Sequence, residues 1–321
     1  MSLYRYQIKP TSAFATPLRS DTLYGHLLWR AAERYGADRV QELIAAFAGK
    51  TPPFKLSSAF PQGCLPLPQL APIPRQRFRE RFAPNGGEQL IARLQQYKKF
   101  RKLHHLGSEV MLKPAGNLSQ ESLFAAWLKD PAAFAAAKET STTAAQPHNS
   151  IDRASGKVLA QGGLHFGTAI WYRPGFTLDL YVETQQPELF EDLLGDLQRS
   201  GYGADSSTGK GQFTFQRDQS FEPGQWPQSG NARMLLSLTA AENMADFSGF
   251  YQPQVKRGRT WSGFGEQNPF KKPFLAITEG AVLTKLPEQG FVLRNIHSNP
   301  EVVQVLWPLT LPLQLEVAHE E

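Results

Sequence analysis

The chain has 321 residues, 41% of them hydrophobic, with one cysteine and a net charge of +5. A chain of this size can bury a substantial core and is long enough for two domains, while a lone cysteine excludes an internal disulfide framework and a zinc cluster of its own. The charge permits a polyanionic partner without requiring one. With no membrane-length apolar run and no signal-peptide pattern at Met1-Ser2-Leu3-Tyr4-Arg5, we expect a cytoplasmic protein without a membrane partner.

Tyr4 to Lys9 alternate as in a strand, and Leu23, Leu27, Leu28 and Ala31 then recur at helical spacing up to Tyr35-Gly36. Ser20 or Asp21 is expected to cap this helix; the alternative for Asp21 is a general base, and His26 on the same helix reads as a packed residue. Phe54 to Phe60 reads as a second strand. Pro61 to Pro74 holds five prolines and is expected to be an extended loop. A basic tract follows, from Arg75 to Lys102, with Phe78, Phe82, Tyr97 and Phe100 interleaved. Cations with aromatics suit single-stranded nucleic acid, through phosphate neutralisation and base stacking, although a solvated helix face over core aromatics has the same pattern. The stretch from Glu121 to Gln146 is helix-prone and then Ala/Ser/Thr-rich, and is expected to be mobile or peripheral. Strands are expected up to Trp171 and over Thr177 to Val182.

Pro187 to Ser200 reads as an amphipathic helix, with Leu189, Phe190, Leu193, Leu194 and Leu197 on one face. It leads into Gly201-Tyr202-Gly203-Ala204-Asp205-Ser206-Ser207-Thr208-Gly209-Lys210-Gly211, and Phe213 and Phe215 then alternate as in a strand. Helix, loop, strand reverses the order of a nucleotide-binding P-loop. The spacing also fails, because five residues separate Gly203 from Gly209 and Gly211 stands where a magnesium-binding hydroxyl belongs. An ATPase is therefore excluded. What the loop offers is amides, hydroxyls and Lys210 for a phosphodiester backbone, with a turn that bonds only to itself as the alternative. Asp218 to Asn231 reads as a linker. Beyond it Met234 to Thr239, Tyr251 to Ser262, Phe274 to Leu286 and Val302 to Val317 lean to strand, and Arg257, Arg259, Lys271 and Lys272 flank Trp261, Phe264 and Phe270 in a second cation-and-aromatic cluster. There is no His-Glu-x-x-His, no Cys-x-x-Cys and no Gly-x-Ser-x-Gly, and His104-His105 would diverge on either a helix or a strand. We expect a binder of phosphate-rich polymer rather than an enzyme, with no cofactor and no metal.

Four motifs in order carry a resemblance: Ser20-Asp21-Thr22-Leu23-Tyr24-Gly25 at a helix start, Asn149-Ser150-Ile151-Asp152-Arg153, the loop Gly203 to Gly211, and Thr278-Glu279-Gly280-Ala281-Val282. Together they resemble the fourth subunit of the type III-A CRISPR effector, the Csm complex, a RAMP-superfamily protein, over nearly the whole chain. The resemblance implies an α+β fold of two ferredoxin-like (RRM-like) domains: residues 1–217, with an insertion at about 61–170 and the glycine-rich loop after the second helix, then a linker at 218–231 and a second domain at 232–321. It also implies a non-catalytic subunit that grips the 5′ handle of CRISPR RNA, meets target RNA only indirectly at the handle-proximal end, and joins a neighbouring backbone RAMP subunit to the large polymerase/cyclase-like subunit. The residues placed at RNA are Ser20, Asn149, Arg153, Ser206, Ser207, Thr208, Gly209, Lys210, Gly211, Arg257 and Arg259. A CRISPR RNA-processing endoribonuclease using His26 or His148, and a stand-alone RNA-binding module, are the alternatives.

Overall fold

The N-terminal strand, β1 (Ser2–Pro10), lies between two antiparallel neighbours in the computed structural model, which describes residues 1–112, 118–135, 141–159, 163–260 and 268–316. Next come α1 (Ser20–Tyr35) and α2 (Ala37–Ala48), with Gly36 between them at φ +85°, a conformation that favours glycine. Three short strands follow, β2 (Phe54–Leu56), β3 (Phe60–Pro61) and β4 (Cys64–Pro66). A largely helical insertion holds α3 (Arg75–Phe82), α4 (Gly87–Phe100), β5 (His105–Gly107), α5 (Ser108–Leu112), α6 (Gln120–Lys129) and α7 (Pro131–Ala135). A two-stranded arm, β6 (Ser141–Asn149) with β7 (Leu164–Tyr172), leads back through β8 (Leu178–Thr184), α8 (Pro187–Ser200) and β9 (Phe213–Arg217).

The resulting antiparallel sheet has the order β2-β8-β1-β9, with β3 also paired to β8. Because strand side chains alternate, its two faces serve two cores. Tyr6, Ile8, Leu178, Leu180 and Val182 pack with Leu23 and Leu27 of α1 and Phe190, Leu194 and Leu197 of α8. Tyr181, on the opposite face, joins the insertion. There Phe78, Phe82, Phe100 and Phe124 are buried, with ring centroids from Phe124 to Phe82 and to Tyr97 at 4.9 and 5.0 Å. The aromatics of the basic tract are thus core residues, and base stacking by Phe78, Phe82 or Phe100 is ruled out. The helix-prone stretch after residue 118 is likewise built in. Ser119 and Ser122 form a reciprocal cap at the start of α6, and Pro131 opens α7, where its missing N–H costs nothing. The Ala/Ser/Thr-rich run becomes β6, exposed along most of its length but paired residue by residue with β7.

Asp218 to Asn231 is irregular yet packed, for Trp226 is buried against Tyr181 with ring centroids at 4.7 Å. The chain then forms β10 (Ala232–Leu235), β11 (Thr239–Ala240), β12 (Ser248–Phe250), β13 (Pro253–Lys256), β14 (Phe274–Ile277), β15 (Val282–Lys285), β16 (Phe291–Leu293), β17 (Gln304–Leu306) and β18 (Thr310–Leu313). These make sheets of order β12-β15-β10-β18 and β11-β14-β13 and the hairpin β16-β17. Among the described residues this part has no α-helix, so the helices of a second ferredoxin-like unit are not found there. Its apolar side chains lean instead on the first part. Trp307, fully buried, donates from Nε1 to the Phe47 carbonyl at 2.7 Å, and with Val305 it completes the core under α1 and α2.

Candidate nucleic-acid interface

The start of α1 is gripped by side chains distant in sequence. Arg19, its N-cap residue, donates from Nε and Nη2 to the two Glu279 carboxylate oxygens at 3.1 and 2.6 Å and from Nη1 to Gln254 at 2.8 Å. Ser58 also donates to Glu279, so the Thr278 to Val282 motif acts as a clasp on this helix. Ser20 is fully buried: its N–H donates to Ser58 Oγ at 2.9 Å, and its own Oγ accepts from Leu238 N–H at 2.9 Å. It ties the two parts of the chain together, and contrary to expectation its hydroxyl is not open to an outside ligand. Neither Ser20 nor Asp21 supplies a side-chain cap. The buried Asp21 carboxylate instead pairs with Lys256 Nζ at 2.7 Å.

Thr22, Gly25, His26 and Trp29 are partly exposed at helical spacing on α1. A β-carbon built on Gly25 would meet nothing within 4 Å. A glycine inside a helix costs roughly 0.5–1 kcal/mol relative to alanine, and here no neighbour within the chain requires it. It leaves backbone open to close approach from outside. His26 Nε2 accepts the Gly203 N–H at 3.1 Å, and its ring lies 4.9 Å from that of Tyr202. Burial pushes the imidazole down to about 4, with the positive charges of Arg30 and Lys271 adding to the effect, so it is neutral at pH 7.

The glycine-rich loop is therefore docked on α1 and on the segment before it, and most of its groups hold it there or brace the loop itself. Ala204 N–H donates to Thr16 Oγ1 at 3.1 Å, Gly209 N–H to the Ser206 carbonyl at 3.1 Å, and Gly211 N–H to the Ala13 carbonyl at 2.8 Å. Thr208 donates its hydroxyl to the Asp205 carbonyl. Lys210 is buried and its Nζ lies 2.8 Å from Asp205 Oδ2; that hydrogen bond holds the Asp205 carboxyl below the usual carboxylate range. Gly211 is needed because an added β-carbon would stand 1.9 Å from the Tyr202 carbonyl oxygen, whereas the space at Gly209 is open and only its φ of +91° asks for glycine. Thr208, Lys210 and Gly211 thus hold the loop together and are withdrawn as open phosphate ligands. The amides of Asp205, Ser206 and Ser207 and the hydroxyls of Ser206 and Ser207 make no hydrogen bond within the chain; Asp205 and Ser207 are exposed and Ser206 is partly exposed.

The β6–β7 arm and the β13–β14 segment stand beside this loop and helix. Phe14 exchanges backbone hydrogen bonds with Ile170 of β7, so the arm is anchored next to the residues that hold Gly211. His148 and His165 are cross-strand partners with rings 5.4 Å apart. Asn149 and Arg153 are exposed toward the tip, where Asp152 accepts from the Ala154 and Ser155 amides and shapes the turn. From the β13–β14 segment Lys256 and Lys271 point inward. Lys271 Nζ donates to the Val303 carbonyl at 3.0 Å and to Gln304 at 3.1 Å, and burial pushes its ammonium down to about 8, against the pull of Asp21. Arg257 and Arg259 are exposed, and the Arg259 guanidinium lies 4.6 Å from the centroid of the exposed Phe270 ring. Trp261 and Phe264 lie outside the described residues.

The structure thus brings the glycine-rich loop and the Thr278 to Val282 motif to α1, while Asn149 to Arg153 lies at the tip of the arm anchored beside Phe14. Sequence reasoning missed Glu279, Lys256 and Asp205, which build the site by pairing, and Gly25, whose signal was a glycine inside an otherwise helical pattern. Among the described residues no group of three His, Cys, Asp or Glu side chains is placed to hold a metal, and no helix is long and apolar enough to cross a membrane.

No family model and no curated protein matches the chain. Solved structures do. A chain of the Csm3-Csm4 subcomplex in the type III-A CRISPR-Cas interference complex aligns over 97% of this chain and 99% of its own length, with a TM-score of 0.59 and 15% identity. A chain of the Csm1-Csm4 cassette in complex with AMPPNP aligns over 98% and 100%, with a TM-score of 0.55 and 18% identity, and one of the same cassette with cA4 over 99% and 100%, at 0.54 and 18%. The chain shares the mixed α/β fold of these effector components, with its several antiparallel sheets, from end to end.

Proposed function

We propose that this chain is a non-catalytic, RNA-binding subunit of a type III-A CRISPR effector, the counterpart of Csm4, which is common to the assemblies whose chains share its fold. It grips the 5′ handle of CRISPR RNA and joins a Csm3-like backbone subunit to a Csm1-like large subunit, so that target RNA reaches it only at the handle-proximal end. We further read the sheet order β2-β8-β1-β9, with α1 and α8 on one face, as the ferredoxin-like arrangement of the first domain.

The observation that carries the RNA reading is the convergence on α1. Ser206 and Ser207 belong to the loop whose Gly203 amide bonds His26, Arg257 and the Arg259–Phe270 pair follow the Lys256–Asp21 ion pair, and Asn149 and Arg153 belong to the arm anchored at Phe14, while Gly25 on α1 leaves backbone open. Those groups suit a single strand: donors for phosphate, a cation–π pair for a base, and a place where a backbone can come close. His26 has its Nε2 engaged by the Gly203 amide, which favours binding over acid–base cleavage.

The test is the double variant Arg257→Ala/Arg259→Ala with RNA carrying a repeat-derived 5′ end. Affinity should fall about tenfold or more, and the dependence of log K on log salt should become shallower by roughly 1.4, two single-strand counterions' worth. Unchanged affinity and slope in the folded variant would remove this surface from the RNA site.

A further inference from the structure

The helical insertion carries more positive charge than the whole protein. Residues 75–102 hold nine Lys and Arg against only Glu80 and Glu88, a net +7, so the remainder of the +5 chain is −2. Elsewhere arginines are mostly consumed: Arg5 by Asp218, Arg19 by Glu279, Arg34 by Asp192 and Asp196, Arg217 by Glu191. In the insertion Arg77 and Arg81 are held by Glu121. Among the described residues Arg75, Arg79, Lys98, Lys99, Arg101 and Lys102 have no ion-pair partner, and all six are exposed.

Local stability explains only part of this set. Lys98 and Lys99 lie in the last turn of α4 and Arg79 in the last turn of α3, where cations favour the helix dipole. Arg75 is the first residue of α3, a helix with no acidic residue in its first turn and no side-chain cap, and there a cation is unfavourable. Arg75 and Arg79 share an open face of α3 with Gln76 and Glu80, and Glu80 is engaged by the Gln76 amide at 2.9 Å. Beyond the helix ends, the chain gains no ion pair among the described residues from these six cations.

We infer that α3, α4 and the turn after α4 form a second RNA-binding surface, separate from the α1 site, that holds the phosphate backbone without reading bases. The choice of RNA over other polyanions rests on the function proposed above. The indifference to sequence follows from the packing: the aromatics that would stack on bases, Phe78, Phe82 and Phe100, are inside the core, and the apolar side chains exposed on α4, Ile91 and Leu94, are aliphatic, so charge supplies the grip and binding should be steeply salt-dependent.

The experiment uses the full-length protein, a 20-nucleotide oligouridylate and a salt series. Lys98→Gln/Lys99→Gln/Arg101→Gln/Lys102→Gln should weaken binding about tenfold or more at low salt and make the slope shallower by roughly 3, and Arg75→Gln/Arg79→Gln by roughly 1.4. Melting temperatures verify that both variants fold, and having two separate sets keeps the test open if one does not. Slopes equal to the parent in both would overturn the inference; so would equal competition by polyglutamate of matched charge, which would indicate an acidic protein segment instead. Preference for a repeat-derived over a scrambled 5′ end, measured in the same variants, reports on the α1 site. If the parent shows no such preference while the oligouridylate slopes change as stated, the proposed function fails and this surface stands.

Discussion

Gly211→Ala should lower stability by about 3 kcal/mol or more, read as a loss of roughly 5–10 °C in Tm, because the new methyl group meets backbone that has nowhere to move. The built β-carbon would lie 1.9 Å from the Tyr202 carbonyl oxygen and 2.8 Å from the Tyr202 amide nitrogen, and φ at this residue is +71°. Tyr202 cannot yield, since it is fully buried and its hydroxyl donates to the Pro17 carbonyl at 2.7 Å. Gly209→Ala is the control on the same loop. Only backbone strain opposes it, so about 1 kcal/mol is expected. Thermal melts of both decide the matter. Equal losses would mean that the loop is not docked on Tyr202.

The second large effect is a pH dependence centred on His26. The imidazole has an ordinary value of 6.5 and is lowered to about 4 in the folded protein, first by burial and then by Arg30 and Lys271. Between these values the unfolded chain binds a proton that the folded chain refuses, so stability is complete above 6.5 and is lost as pH falls toward 4. Over the whole window this amounts to roughly 3 kcal/mol. Gln in place of His26 retains an acceptor for the Gly203 N–H but does not titrate. The parent should therefore lose Tm relative to His26→Gln between pH 6.5 and 4.5. Parallel curves for the two proteins would show that His26 titrates freely in the fold.

What the sequence made legible was local. The alternation in β1 and β9 and the apolar stripes of α1 and α8 depend on neighbours a few residues away, and those elements formed as the pattern indicates. The location of the glycine-rich loop was legible too, but its inner workings were not. Whether Lys210 faces solvent or Asp205 depends on how deeply the loop sits against Thr16 and Tyr202, and Thr16 comes from the far end of the chain. Ser20 illustrates the same limit, since a hydroxyl at a helix start reads as a cap until Leu238 arrives beside it. In the basic tract the aromatics take their meaning from Phe124 on a later helix, which draws Phe78, Phe82 and Phe100 inward and leaves the cations outside. The Asp21–Lys256 and Arg19–Glu279 pairs join residues from opposite ends of the chain, and no periodicity encodes them.

The central claim is that this chain works inside a CRISPR ribonucleoprotein and holds the repeat-derived end of its RNA. Co-expression of the affinity-tagged chain with Csm1-like and Csm3-like subunits and a CRISPR array, followed by sequencing of the 5′ ends of the RNA that co-purifies, tests it most directly. The account predicts that the subunits come through together with RNAs that share one 5′ end derived from the repeat, and that Arg257→Ala/Arg259→Ala depletes those RNAs. Recovery of the chain without the subunits, or with cellular RNA fragments that have no common 5′ end, would contradict it.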